Sequence, residues 1–511
     1  MSSMSNLTRE QIPLLSKSRF MAGRQCHKRL YLECFHPELA DPVDAGRQAI
    51  LDTGTRVGEL ARDRYPGGVL IAEDHLHHNK AVSSTEEALT DPSAQAIYEA
   101  AFVHDDIRIR ADILKRAGNG MYDLIEVKSG TGVKEEHIPD VAVQLYVLKG
   151  CGIPVGRACL CHLNKEYVYQ GGSYDLSQLF LVEDKTDKAQ LLQPDIPMIL
   201  EEIRLPLWGL EPPEIKPGRQ CSKPYPCAFA GHCLLSEPEH RVIQLPRASE
   251  RLLSALEDAG IEDIRDIPAG FPGLNENQQR VRDCVVSNRV HLDPYLPGAL
   301  GQLEYPVHFL DFETFNPALP LYAGTRPYQV IPFQWSDHII TGDGELRHEE
   351  FLYDGFDDPR EPFARSLLKA LGSRGSIVVY SSYEATRIRE LAEALPDLSN
   401  DLLALLEGRI VDLLALVRNH CYHPEFHGSF SIKSVLPALV PDLGYSDLEI
   451  SDGGQASAAY AEMVRPETPA DRRGLLRESL LAYCKRDTEA EVRLFETLRG
   501  GILPRSNKVK K

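Results

Sequence analysis

This sequence predicts an α/β protein of more than one domain, on three observations. At 511 residues the chain exceeds the roughly 250–300 residues at which one hydrophobic core stops growing, so two or three domains are expected. The composition, 43% hydrophobic and 26% charged, supplies apolar material for complete cores beneath a solvated surface. Strand-like runs alternate with longer helical patterns, which is the α/β signature.

Three regions separate by pattern. Residues 1–236 mix strand and helix signals and hold eight of the 11 cysteines. Residues 237–303 read as short helices. Leu252, Leu253 and Leu256 give 250–259 helical spacing, Gly260 breaks it, 261–267 reads as a second short helix, and Pro268, Gly270, Pro272 and Gly273 mark a loop. That stretch suits a helical connector or a helix-hairpin-helix element. In 304–511, residues 307–310 and 377–380 read as strands, while 385–394 and 478–498 read as helices.

No uncharged apolar run approaches the ~18 residues of a membrane span, and residues 1–17 lack the apolar stretch of a signal peptide. The cytoplasm is therefore the expected compartment. An odd number of cysteines there points to buried, reactive or metal-bound thiols rather than disulfides. The net charge of -19 excludes a uniformly basic nucleic-acid binder, so any contact with phosphates needs local basic patches or bridging divalent cations. Lys17, Arg19, Arg24, Lys28 and Arg29 form one candidate patch, and Arg108, Arg110, Lys115 and Arg116 form another. Taken alone, either run reads first as a solvated charged face.

Residues 107–114, IRIRADIL, alternate as a strand; Gly118-Asn119-Gly120 supplies a turn, and 121–128, MYDLIEVK, forms a second strand. Side chains alternate along a strand, so Glu126 and Lys128 share a face and the hairpin partner can bring Asp112 beside them. Two carboxylates can hold a divalent cation, and the ammonium can orient or deprotonate a water. The next helix carries Asp140 and Gln144 one turn apart over a buried stripe of Val141, Leu145 and Leu148. This order of Asp, Glu-x-Lys and a Gln-bearing helix resembles the PD-(D/E)XK nuclease core of the RecB-like type, over residues 7–235. The resemblance implies a restriction-endonuclease-like fold in which Asp112, Glu126, Lys128 and Gln144 are catalytic and Asp112 and Glu126 hold the metal. Two positions depart from it. Gly58 and Glu59 stand in GTRVGELA, where many members carry a metal-binding His, and Leu148 takes an aromatic position; Glu59 is the substitute ligand on offer.

Cys221, Cys227 and Cys233 lie in CSKPYPCAFAGHC, where Pro224, Pro226 and Gly231 favour loops around a metal, and Cys26 stands far upstream in QCHKRLYLE. One early cysteine plus three after the nuclease core resembles the iron-sulfur RecB-like exonucleases, CRISPR-associated ones included. There four thiolates hold a [4Fe-4S] cluster that clasps the two ends of the domain, which makes Cys26, Cys221, Cys227 and Cys233 the implied ligands. Four thiolates suit zinc as well; the gaps, wider than those of zinc ribbons, and the bracketing of a nuclease core favour iron-sulfur. Cys34, Cys151, Cys159 and Cys161 are expected in the core, with Cys159 and Cys161 on opposite faces of a strand.

In the last region the strand at 307–310 runs into Asp311-Phe312-Glu313, which presents two carboxylates together with Phe312 buried behind them. Tyr483 and Asp487 are four apart in LAYCKRDTEAEVRLF and share a helix face. An Asp-x-Glu on a first strand with Tyr-x-x-x-Asp on a late helix resembles the DEDDy branch of the DnaQ-like exonucleases, which have an RNase H-like fold and use two metals. That resemblance implies Asp311, Glu313 and Asp487 as metal ligands and Tyr483 as the holder of the attacking water. In the family's middle motif, Ser381 replaces Asn and Glu384 takes the place of the third acid; Asp412, in RIVDLLALV, is the reserve ligand. The segment 305–500, including GSFSIKSVLPALVP, also resembles a bacterial domain family of unknown function.

Together these resemblances imply a metal-dependent nuclease that hydrolyses phosphodiester bonds. Its cofactors are a [4Fe-4S] cluster and Mg2+ or Mn2+, and its partner is nucleic acid, DNA in preference to RNA. The C-terminal module is the 3'-to-5' exonuclease and the N-terminal one a second site. The alternative is a nucleic-acid-binding scaffold with one or both sites inactive, given the departures at Gly58, Leu148 and Glu384.

Overall fold

The computed structural model describes residues 13–500. Positions 1–12, on which most of the expectation of no signal peptide rests, lie outside the described residues. The chain is mixed α/β and divides into two compact units, Met1–Glu237 with Pro317–Gln329, and Pro238–Asn316 with Val330–Lys511. Among the described residues no helix is long and apolar enough to cross a membrane.

The first unit holds strands β1 (Leu15–Ser16), β2 (Gly68–Leu70), β3 (Ala96–His104), β4 (Ile107–Arg116), β5 (Tyr122–Lys128), β6 (Val155–Leu163) and β7 (Phe180–Asp184). They form one sheet in the order β2-β3-β4-β5-β6-β7, with β1 pairing on β4. Ile107, Ile109 and Ala111 of β4 are buried while Arg108, Arg110 and Asp112 are half-buried, the alternation expected of a strand with one core face. The β4–β5 hairpin turns through Gly118–Gly120 with Asn119 at φ 63°, a left-handed conformation in which Asn is enriched. Pairing of Ile113 with Ile125 and Leu114 with Leu124 sets the register, which continued one step places Asp112 opposite Glu126. β5 and β6 are parallel and so need a crossover; the helix His137–Gly150 supplies it, with 11 of its residues buried.

Cys159 and Cys161 are both buried in one core cluster with Val57 and Ile113. They share a face rather than taking opposite ones, because residues two apart on a strand point the same way. Cys151 also departs from expectation, being exposed with its thiol against the Val103 carbonyl. Residues 317–329 join this unit from far along the chain. The Gly324 amide donates to the Tyr169 carbonyl at 2.7 Å, the Tyr169 amide donates to the Thr325 carbonyl at 2.9 Å, and Leu319 packs among Tyr167 and Tyr169.

The second unit holds β8 (His291–Leu292), β9 (Val307–Phe315), β10 (Ile331–Ile340), β11 (Leu346–Leu352), β12 (Ser376–Val379), β13 (Ile410–Asp412) and β14 (Cys421–Tyr422). Its main sheet runs β11-β10-β9-β12-β13, antiparallel from β11 to β9 and parallel from β9 to β13. The helix Ala470–Gly500 lies on β9 and β10. It is fixed there by the Gln334 amide donating to the Leu480 carbonyl at 2.8 Å and by Phe495 edge-on to Phe309 at 5.2 Å.

Residues 237–303 do not stand apart as a connector. Leu252, Leu256, Ile264, Val281 and Val285 are buried in the same core as Val307, Phe309 and Phe495. The first expected helix is present as Glu250–Asp258, ended by Gly260 at φ 69°. The second, over 261–267, is only a 3-10 turn, Ile264–Asp266. Asp263 caps that turn at once by accepting from the Arg265 amide at 2.7 Å, and Pro268 cannot donate to extend it.

Candidate functional site

In the first unit the structure brings Asp112, Glu126, Lys128 and Gln144 together. Glu126 accepts from Gln144 Nε2 at 2.8 Å and from Lys128 Nζ at 2.9 Å, and Lys128 also bonds Asp140. Asp112 accepts from the Val127 amide at 2.7 Å. A second ammonium enters that the motif did not contain: Lys17, in the first turn of the helix Lys17–Gln25, stands 2.6 Å from Glu126 and 3.4 Å from Asp140. Burial alone would raise the Glu126 pKa, but Lys128 and Lys17 outweigh it and hold the carboxyl well below the usual range. Asp112, with no ammonium bonded to it, is pushed up to about 7 by burial and by the Glu126 charge. Glu59 is exposed, and Leu148 is buried in the core.

Cys26, Cys221, Cys227 and Cys233 line a single cavity with Arg29 and Phe229. They come from both ends of the unit, which are tied by Gln25 Nε2 donating to the Gln220 and Tyr225 carbonyls at 2.6 and 2.7 Å and by the Asp41 amide donating to the Ala228 carbonyl at 2.6 Å. Four thiols lining one cavity are the donor type of an iron-sulfur cluster, while no three of their sulfurs lie within 4.8 Å of one another, as a zinc ion would need.

The second unit gathers more acids than the sequence motifs named. Asp311 and Glu313 lie on β9 in register with Ser336 and Gln334, and Phe312 between them is buried edge-on against Phe363. From the helix Ala470–Gly500, Tyr483, Asp487 and Glu491 follow at intervals of four and so share a face. Tyr445 donates to Asp487 at 2.6 Å. Ligand atoms of Asp311, Glu313 and Cys484 lie within 4.8 Å of one another, with the Cys484 sulfur 3.6 Å from an Asp311 carboxylate oxygen. Glu384 arrives in the first turn of the helix Tyr383–Ala394, 4% exposed.

The electrostatics of this cluster are those of crowded, dehydrated anions. Burial, then Asp487 and Glu384, raises Asp311 well above the carboxylate range; burial, then Asp311 and Asp487, does the same to Glu313. Glu491 is raised by burial and by Asp311, Glu384 and Asp487. Glu384 is pushed up to about 7 by burial with help from Asp412. Asp487 is pushed up to about 6 by burial, which bonds from Tyr445 and the charge of Lys433 only partly offset. One oxygen each of Glu384 and Glu491 is buried with no hydrogen-bond partner. A buried, unpaired carboxylate is costly unless a cation joins it, and an oxygen-rich donor set with vacant lone pairs fits Mg2+ or Mn2+. Asp412, the reserve ligand, caps the helix Leu413–His420 by accepting from the Ala415 amide at 2.9 Å and acts on Glu384 through its charge.

Sequence reasoning missed Lys17, Cys484, Glu491, Tyr445 and Lys433. Glu491 had a signal, since it continues the four-residue spacing from Tyr483 through Asp487. At least four of the nine residues in the two expected basic patches are engaged by groups of the fold. Lys17 is bound to the acids, Arg29 pairs with Glu33 at 2.8 Å, Arg110 with Glu99 at 3.3 Å, and Arg116 donates to the Leu89, Asp91 and Ala94 carbonyls.

Comparison with known families adds one match. Residues 308–431 fit a family described as a domain of unknown function, DUF2779. The matched stretch carries Asp311, Glu313, Glu384 and Asp412 and ends before Tyr483, Asp487 and Glu491. No curated protein and no solved structure matches the chain.

Proposed function

We propose that the second unit is a metal-dependent 3'-to-5' exonuclease of the DnaQ-like DEDDy type with an RNase H-like fold, and that the first is a RecB-like PD-(D/E)XK domain tied by a [4Fe-4S] cluster. The observation that carries the reading is the gathering of the Asp311 and Glu313 ligand atoms, with the Cys484 sulfur, within 4.8 Å of one another, with Asp487, Glu384 and Glu491 from two helices buried near enough to act on Asp311 or be acted on by it. Bound Mg2+ or Mn2+ would supply a nucleophilic water at neutral pH and neutralise charge on the cleaved phosphate. Asp311, Glu313, Glu384 and Asp487 hold the ions, Tyr445 fixes the Asp487 carboxylate, and Tyr483 orients the attacking water. The test is digestion of end-labelled DNA and RNA with either metal. Mononucleotides should leave a free 3' end and cease when that end is blocked; no cleavage of either polymer in either metal would contradict the reading.

Four thiols around one cavity at the junction of the two ends of the first unit support the cluster. Protein purified without oxygen should absorb broadly near ~400 nm, and stoichiometric zinc without iron would overturn this part. Lys17 favours a second reading for the PD-(D/E)XK constellation, since an ammonium 2.6 Å from Glu126 stands where a divalent cation would bind. On that reading the first unit binds nucleic acid, and hydrolysis belongs to the second.

A further inference from the structure

The second unit contains a cavity of about 480 Å³ lined by three arginines, Arg247, Arg280 and Arg418, together with Asn277, Phe430 and Ser431. Arg280 donates to the Asn419 carbonyl and to Asn277, and Arg418 lies 6.0 Å over the Phe430 ring. Among the described residues none of the three pairs with a carboxylate. Arg247 is exposed, on a backbone held at φ 52°. Gly428, which also lines the cavity, is held at φ 78° so close to the chain at Gln244 that an added Cβ would fall 1.7 Å from that carbonyl. The helix Glu276–Ser287 starts at this cavity, capped by Asn275, and adds the positive end of its dipole.

The cavity is wired to the acidic cluster at two points. Ser431 on its wall stands at the N-cap position of the helix Ile432–Leu439, and two residues on, Lys433 lies 5.6 Å from the rings of both Tyr445 and Tyr483. The Phe430 carbonyl accepts from the Tyr380 hydroxyl at 2.8 Å, and Tyr380 interacts with the buried Glu491. We propose that this cavity holds the phosphodiester backbone of a single-stranded nucleic acid whose 3' end enters the acidic cluster, an inference that rests on the exonuclease reading. Guanidiniums match phosphate oxygens in fork geometry, and contacts of this kind position a strand without reading its bases.

Binding is measured without catalysis, by fluorescence anisotropy of a 5'-fluorescein-labelled 20-nucleotide oligomer in EDTA. Replacing Arg247→Ala together with Arg418→Gln should weaken binding about 10-fold or more and reduce the slope of log affinity against log salt by about 1.4, two single-strand phosphate contacts. Arg247→Ala alone, at an exposed position, should give roughly a threefold loss and keeps the test decisive if the double variant does not fold. Affinity and slope equal to wild type in Arg247→Ala, or a wild-type chain that binds no oligomer, overturns the inference. Hydrolysis of bis(p-nitrophenyl) phosphate by the wild-type chain with Mn2+ reports the cluster's chemistry separately. A chain that hydrolyses this small diester but holds no strand through the arginines sinks this inference and leaves the exonuclease reading standing.

Discussion

The two acidic centres are built from similar residues and solve the same electrostatic problem in opposite ways. In the first unit Glu126 and Asp140 are answered from within by Lys17 and Lys128, and Glu126 is held strongly acidic. In the second, the cations that act on the cluster are fewer than its acids, Lys433 on Glu313 and Asp487, Arg486 on Asp487 and Arg387 on Glu384, and all five carboxyls are raised. A site that carries its own cations has little need of an external one, whereas a site of dehydrated, unanswered carboxylates is stable as anions only when a metal binds. Counting acids in a motif therefore says less about metal demand than counting the bases that fold in beside them.

The contrast can be broken most severely at Glu384. As a metal ligand it predicts a loss on the order of 10^3-fold in 3'-end trimming for Glu384→Ala, the scale of several kcal/mol of transition-state stabilisation. Asp412→Ala should instead mainly cost the helix its cap, about 1 kcal/mol of stability, with trimming retained. Radiolabelled digestion alongside thermal melts separates the two, and the reverse pattern would hand the ligand role to Asp412. A smaller effect belongs to Tyr483→Phe, which keeps the ring and removes the hydroxyl proposed to orient water. It should slow trimming about 10- to 100-fold and leave Mn2+ affinity unaltered; a matching loss of metal would make Tyr483 a support of the ions instead.

Lys17→Ala sharpens the comparison from the other side, since it makes the first centre resemble the second. The first unit should lose about 1–3 kcal/mol of stability, because the partner anions stay buried. With Lys128 still bonded to Glu126 and Asp140, the place left by Lys17 should take up Mn2+ seen by calorimetry, and unchanged metal stoichiometry would contradict the idea that Lys17 stands in for a cation. The smallest effect concerns the pair His338 and His348, whose rings lie 4.5 Å apart in the second unit. Burial, with Lys485 nearby, lowers both to about 4. Below the unfolded value near 6.5 the unfolded chain takes up protons that the folded chain refuses, so this pair reduces stability as pH falls from about 6.5 toward 4. Replacing His348→Gln should flatten the fall in melting temperature between pH 7 and 5 by a few degrees at most, and an unchanged slope would remove His348 from the account.

The sequence was legible where chemistry and local structure coincide. The β4–β5 hairpin could be read from Gly118-Asn119-Gly120 and alternating isoleucines, and Asp311 with Glu313 from an acid pair on an apolar strand. It was illegible where partners come from far along the chain. Lys17 is 109 residues from Glu126, Tyr445 is 42 from Asp487, and no spacing rule joins them. The middle region misled for a related reason, because short helices read alike whether they bridge two domains or pack into one core. Residues 317–329, rich in Pro and Tyr, read as a loop, and nothing local in them says that they return to the first unit.

The central claim is that divalent cations bind the second centre and not the lysine-neutralised first one. Mn2+ titration of the metal-free chain, followed by electron paramagnetic resonance, tests it most directly in three forms: wild type, Asp311→Asn with Asp487→Asn, and Asp112→Asn. The account predicts that the double variant loses the bound Mn2+ of the wild type while Asp112→Asn retains it. Retention of all bound Mn2+ by the double variant, or its loss from Asp112→Asn, would contradict the account.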